Sequence, residues 1–154
     1  MPPSSVQPTG KFGDLERIID EVHSLFEHWE NSGIFSPAFD RDKVLLMKLA
    51  VHEWLANLVQ HAHFGDRTPE IRLDITPNGK RVRCVIVDNS DGFDLGSYLD
   101  QKRGALPVLP ERGMGLLMLD AATEYMHYHR DDQGCHRLEF SVSADQDPWL
   151  NIPF

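Results

Sequence analysis

A chain of 154 residues, 41% hydrophobic and 25% charged, has the make-up of one ordinary globular domain, which excludes collagen-like, disordered and disulfide-scaffold architectures. A domain of this size buries roughly two thirds of the surface its unfolded chain exposes, so packing alone can stabilise it. Acidic residues outnumber basic ones 24 to 15, for a formal charge of -9, which repels phosphate backbones and anionic lipid and argues against nucleic acid or a membrane as partner.

The start of the chain, Met1 to Gly10, is rich in Pro and Ser and lacks a basic segment followed by an apolar one, so it reads as a disordered lead-in over residues 1–13 rather than a signal peptide. No apolar run approaches the roughly 18 residues of a membrane span, and a cytoplasmic location is expected. From Asp14, placed as the cap, Leu15, Ile18, Ile19, Val22, Leu25, Phe26 and Trp29 follow the spacing of one apolar helical face. Gly33 to Pro37 breaks that pattern, and a second helix is expected from Asp40 to about His63.

Alternating apolar residues then predict strands: Ile71, Leu73 and Ile75, followed by Val82, Cys84 and Ile86, an antiparallel pair joined through Asn78-Gly79. From Ser90 to Gly113 lies a stretch dense in Gly, Pro and charge, too long for a plain connection. A third helix is expected from Gly115 to about Glu124. Two further strands, Tyr125 to Arg130 and His136 to Val142, flank the turn-like Asp131-Asp132-Gln133-Gly134. The predicted fold class is α+β, a two-layer α/β sandwich with helices on one face of a mixed, mainly antiparallel sheet, in a single domain over residues 14–154. Cys84 and Cys135 have neither zinc-site nor redox spacing and are expected to be reduced thiols. The pairs His61/His63 and His127/His129 lack an evident third ligand, so no dedicated transition-metal site is expected.

At 100° per residue the second helix puts Val44, Met47, Val51, Leu55, Leu58 and Ala62 on one core stripe. A second apolar stripe, Leu46, Leu49 and Ala50, continues into Glu53 and Asn57, which lie four residues apart on one surface. A lone Glu on a helix is ordinarily solvated, yet a carboxylate with an amide one turn on can also activate a hydroxyl and ligate a hard cation such as Mg²⁺. Two further segments add to this. Asp88-Asn89-Ser90-Asp91-Gly92-Phe93 leaves a hydrophobic strand with a carboxylate that can accept from an amino group and a glycine that permits close approach of a flat ring; an Asx-type turn is the ordinary alternative. Arg112-Gly113-Met114-Gly115-Leu116 sets two glycines at the mouth of a helix, where free amides favour phosphate; a flexible hinge is the alternative there.

Taken in this order, Glu-x-x-x-Asn, Asp-x-x-x-Gly-Phe and Gly-x-Gly-Leu resemble the N, G1 and G2 boxes of the GHKL ATPase superfamily, here Glu53 to Asn57, Asp88 to Phe93 and Gly113 to Leu116. Within it, the chain is most similar to the small stand-alone anti-sigma-factor serine/threonine kinases of bacteria, in which a His-Ala pair follows the Asn as His61-Ala62 does here. The resemblance runs from about Asp14 to Val142 and implies a Bergerat-type site for ATP and Mg²⁺. In that site Glu53 would be the general base, Asn57 the Mg²⁺ ligand and Asp88 the acceptor of the adenine amino group. His61, Gly92 and Phe93 would line the nucleotide pocket; Gly113, Met114, Gly115 and Leu116 would meet the phosphates, and Arg112, with Lys102 or Arg103, would add charge from a short lid over Asp94 to Arg112.

The implied partners are a sigma factor and a STAS-domain antagonist that the kinase phosphorylates, and a homodimer is compatible with the family. Two departures stand out: Ser90 occupies a place where the family usually has Gly, and the family's opening strand has only a poor counterpart near Val6. A nucleotide-sensing module that transfers no phosphate is the rival reading. A detached histidine-kinase catalytic domain is disfavoured, since His23 and His28 share one helix without a pairing helix of similar length.

Overall fold

The structure, a computed structural model, describes residues 9–92 and 123–145. It contains β1 (Thr9–Phe12), α1 (Ile18–Asn31), α2 (Arg41–His61), β2 (Ile71–Asn78), β3 (Arg81–Asp88), β4 (Tyr125–Arg130) and β5 (His136–Ser143). The strands form one sheet in the order β1-β2-β3-β5-β4. Every pairing among the described residues is antiparallel, so the sheet is antiparallel there rather than mixed.

The two-residue alternation of each strand sends one stripe inward. In β2 this stripe is Ile71, Leu73 and Ile75, in β3 it is Val82, Cys84 and Ile86, and in β5 it is Leu138, Phe140 and Val142, all buried. These residues join Ile18, Val22 and Phe26 of α1 and Met47, Val51, Trp54 and Leu58 of α2 in one core cluster, so both helices cover the same face of the sheet. Arg72, Arg81 and Arg83 alternate onto the other face and are exposed. The α+β two-layer architecture follows from these stripes.

Local chemistry shifts several boundaries. Thr9–Phe12, inside the expected lead-in, pairs with β2 and turns Phe12 into the core, which supplies the opening strand that was sought near Val6. The first helix starts a turn later than Asp14 because that carboxylate accepts from the Glu16 amide at 2.9 Å in an Asx turn, and Arg17 occupies the N-cap instead. Asp40 does cap the second helix, its side chain accepting from the Lys43 amide at 3.1 Å. Asn78 is still paired, opposite Arg81, so the hairpin loop is Gly79-Lys80 rather than Asn78-Gly79. Gly79 has φ +61° and no non-glycine residue described has positive φ, which is the pattern of a type II′ turn.

On α2, Leu49 is 42% exposed although it was placed on a burial-seeking stripe, and Trp54, on neither stripe, is fully buried. The expected third helix, Gly115 to Glu124, lies outside the described residues up to Ala122; Thr123 is in a bend, and Glu124 is already tied to the sheet through its amide to the Ser141 carbonyl at 2.8 Å. Cys84 and Cys135 are free thiols, and burial raises the pKa of both. Among the described residues no helix is long and apolar enough to cross a membrane.

Candidate functional site

The inward stripe of β3 reads Val82, Cys84, Ile86 and then Asp88, so the strand's period delivers a carboxylate to the core face at its last residue. Asp88 is 1% exposed. Its Oδ1 accepts from the Ser90 amide at 3.0 Å and from the Ser90 hydroxyl, while its Oδ2 is buried with no hydrogen-bond donor among the described residues. Burial pushes the Asp88 carboxyl above its usual pKa, with the two Ser90 hydrogen bonds and the neighbouring His136 pulling the other way. A buried acceptor that is half satisfied favours any ligand able to donate to it.

The turn after Asp88 is fixed from several sides. Asn89 bonds reciprocally to the 68–70 segment: its side-chain carbonyl accepts from the Glu70 amide at 2.9 Å and its side-chain amide donates to the Thr68 carbonyl at 2.9 Å. The Asp91 amide donates to the His63 carbonyl at 2.8 Å, just beyond the end of α2, and Asp91 also pairs with Arg67. These bonds join the exit of β3 to the C-terminal end of α2. Gly92 adopts φ +78°, and a Cβ there would clash with His136 Nε2.

Gly92→Ala is therefore expected to cost more stability than Gly79→Ala, where the added methyl meets nothing within 4 Å. The left-handed backbone alone accounts for about 1–2 kcal/mol at either position. The clash with His136 adds to that only at Gly92, and urea midpoints of the two variants measure the difference. Equal losses would mean that Gly92 is not packed against the ring.

On α2, Asn57 is buried at 7% exposure, and its Nδ2 has no acceptor among the described residues. Glu53, one turn earlier, is half-buried and makes no hydrogen bond or ion pair among the described residues. A relay of rings links this helix to Asp88. Trp54 meets Tyr128 of β4 edge-on at 5.1 Å between centroids, Tyr128 stacks on His136 at 5.6 Å, and His136 is the register partner of Asp88. The structure thus connects the Glu53–Asn57 turn with the Asp88–Gly92 turn. The His61 side chain, Phe93, Lys102, Arg103, Arg112, Gly113, Met114, Gly115 and Leu116 lie outside the described residues.

Asp88 also borders a cleft of about 480 Å³ at the ends of β1, β2 and β3, lined by Lys11, Phe12, Arg72 and Asn89 among others. That cleft takes in neither Glu53 nor Asn57, so it does not delimit the site assembled above. His136 and Tyr128 went unnoticed in the sequence. The signal was present in the period of β5, where His136, Leu138, Phe140 and Val142 form one inward stripe that ends in a titratable residue, as the β3 stripe ends in Asp88.

Comparison with known proteins gives this arrangement a family. The histidine kinase-like ATPase domain matches residues 16–141. A serine-protein kinase RsbW of Bacillus licheniformis is 28% identical over 121 residues, covering 78% of this chain and 74% of that protein. A second RsbW from the same species, strain ATCC 14580, is 30% identical over 109 residues, 65% of this chain and 66% of its own length. That of Bacillus subtilis strain 168 is 29% identical over 97 residues, 58% and 59% respectively. The match takes in the Glu53–Asn57 turn of α2 and the Asp88–Gly92 turn after β3, and the chain belongs to the histidine kinase-like ATPase domain family.

Proposed function

We propose that this protein is an ATP- and Mg²⁺-dependent serine/threonine protein kinase of the anti-sigma type, which binds a sigma factor and phosphorylates a STAS-domain antagonist in the cytoplasm. The observation that carries the reading is the buried Oδ2 of Asp88 at the end of β3, which has no donor among the described residues and is an acceptor suited to the exocyclic amino group of adenine. Asn57, whose buried side-chain Nδ2 has no acceptor among the described residues, would turn its carbonyl oxygen to Mg²⁺. Glu53, on the same surface one turn away and free of competing partners among the described residues, would take the proton from the attacking hydroxyl. Bound Mg-ATP supplies the transferable γ-phosphoryl group, and what the protein contributes to such a reaction is position and charge. The donor set fits that group: one amine acceptor, one hard-cation ligand and one base. Residues from Thr9 onward would form the single domain.

The names of the relatives support a serine kinase, and their sequence distance leaves the substrate to experiment. Incubating the protein with Mg-ATP labelled at the γ-phosphate and a STAS-domain protein should label a serine or threonine of the latter, with acid-stable chemistry. ATP binding without any label transfer would favour the rival reading, a nucleotide-sensing module. Label on the protein's own His23 or His28 in an acid-labile form would point to a histidine kinase instead.

A further inference from the structure

We propose that His136, acting through Ser90, is a positioning residue that fixes the plane of the Asp88 carboxylate against the purine and thereby sharpens the preference for adenine over guanine. The inference rests on the nucleotide site proposed above and concerns two residues to which the family resemblance assigns no role.

His136 Nδ1 lies 3.0 Å from the Ser90 carbonyl oxygen. A carbonyl can only accept, so Nδ1 carries the proton and donates. Ser90 then gives both its amide and its hydroxyl proton to Asp88 Oδ1, and its hydroxyl oxygen accepts from the Gly92 amide at 3.0 Å. Oδ1 is thereby occupied twice from within the turn. Among the described residues Oδ2 has no donor and is left for a ligand.

The ring is itself immobilised: Tyr128 stacks on it at 5.6 Å with planes 26° apart, and the Cα of Gly92 packs so near Nε2 that no side chain fits between. A glycine at position 90 would remove the hydroxyl that links Asp88 to Gly92 and leave the carboxylate held only by the backbone amide of that residue, freer to turn its plane about the Cβ–Cγ bond. With Ser90 and His136 in place, one orientation is selected before the nucleotide arrives, and preorganisation of this kind increases affinity by removing an ordering cost. A carboxylate held in that plane accepts from the 6-amino group of adenine and opposes the 6-keto oxygen of guanine, whereas one free to turn away would tolerate either, so the fixed plane discriminates between them.

The test measures the dissociation constants of ATP and GTP, each with Mg²⁺, for wild type, His136→Leu and His136→Asn. Leu removes the donor, whereas Asn can present its side-chain amide where Nδ1 stood. Wild type should prefer ATP. His136→Leu should lose about tenfold in ATP affinity with GTP little changed, collapsing the GTP-to-ATP ratio, and His136→Asn should restore the ratio to within about threefold of wild type. A general loosening of the fold would weaken both nucleotides alike and leave the ratio where it was. Should His136→Leu fail to fold, Ser90→Ala carries the same expectation, because it removes the hydroxyl link while leaving the ring in place. A wild-type ratio retained by His136→Leu, or by Ser90→Ala in its stead, or a His136→Asn as poor as His136→Leu, overturns the proposal while the ATP site stands. Failure of wild type to bind either nucleotide removes the site itself, and this proposal with it.

Discussion

Glu53→Gln is expected to slow phosphoryl transfer to the antagonist protein by about 10²- to 10⁴-fold, the usual contribution of a positioned general base, while ATP affinity stays within about threefold of wild type. The substitution keeps the shape of the side chain and removes only its ability to take a proton. Glu53 is half-buried on the α2 surface that carries Asn57, with no partner among the described residues to hold its carboxylate elsewhere, so a local rearrangement is not expected to compensate. The split between an unchanged binding constant and a reduced transfer rate distinguishes a role in the chemical step from a role in binding. Single-turnover transfer under saturating Mg-ATP reads that rate directly. A Glu53→Gln protein that labels its partner as fast as wild type would show that the base is another group.

Asp88→Asn is expected to weaken ATP binding by roughly 10- to 150-fold, the equivalent of a charge-assisted hydrogen bond worth about 1.5–3 kcal/mol, and at the same time to stabilise the fold. The second effect follows from burial. A carboxylate at 1% exposure with one oxygen unpaired among the described residues is costly in its ionised form, and a neutral amide of the same shape relieves that cost by about 1–2 kcal/mol at neutral pH.

The sign of the pH dependence is fixed by the direction of the Asp88 shift. Burial raises its pKa in the folded state above the unfolded value, so the carboxyl favours folding while protonated, below the unfolded value, and loses that contribution as pH rises through the folded value. The stability gap between Asp88→Asn and wild type should therefore be full at neutral pH and close as pH falls through the raised Asp88 value. Urea unfolding of both proteins at pH 7 and in the acid range measures it. A wild type more stable than Asp88→Asn at pH 7, or a gap that widens on acidification, would contradict the burial argument. Residues kept against stability in this way mark functional sites.

Much of this arrangement was legible before the structure. The strands β2, β3 and β5 follow from period-two alternation, because half-buried strands must keep one face apolar, and β4 and β5 fall within a residue of their expected limits, whereas β2 runs on to Asn78. The cap at Asp40 was readable for a similar reason: a short acidic side chain before a helical pattern has one favourable use. Asp14 offered the same signal and was used differently, since its carboxylate closes a turn onto Glu16 before the helix begins. Strand β1 escaped notice because four residues, one of them Gly10, carry too little alternation to register; its existence depends on β2 presenting a free edge.

The α2 wheel misplaced Leu49 and omitted Trp54 because the helix contacts α1 on one side and the sheet on another, which widens its buried arc beyond a single stripe. In the candidate site, Glu53, Asn57, Asp88 and Gly92 were each identifiable from residue type and spacing. The role of Ser90 as the link between Asp88 and Gly92, and of His136 above it, required the β3–β5 register, a pairing across nearly fifty residues of chain that no local pattern reveals.

The most direct test of the central claim is a calorimetric titration of wild type and Asp88→Asn with ATP in the presence of Mg²⁺. A Bergerat-type site built on Asp88 predicts saturable binding by wild type that is at least about tenfold weaker in Asp88→Asn, even though the variant is the more stable protein. Wild type that does not bind ATP, or the two proteins binding it equally well, would contradict the account.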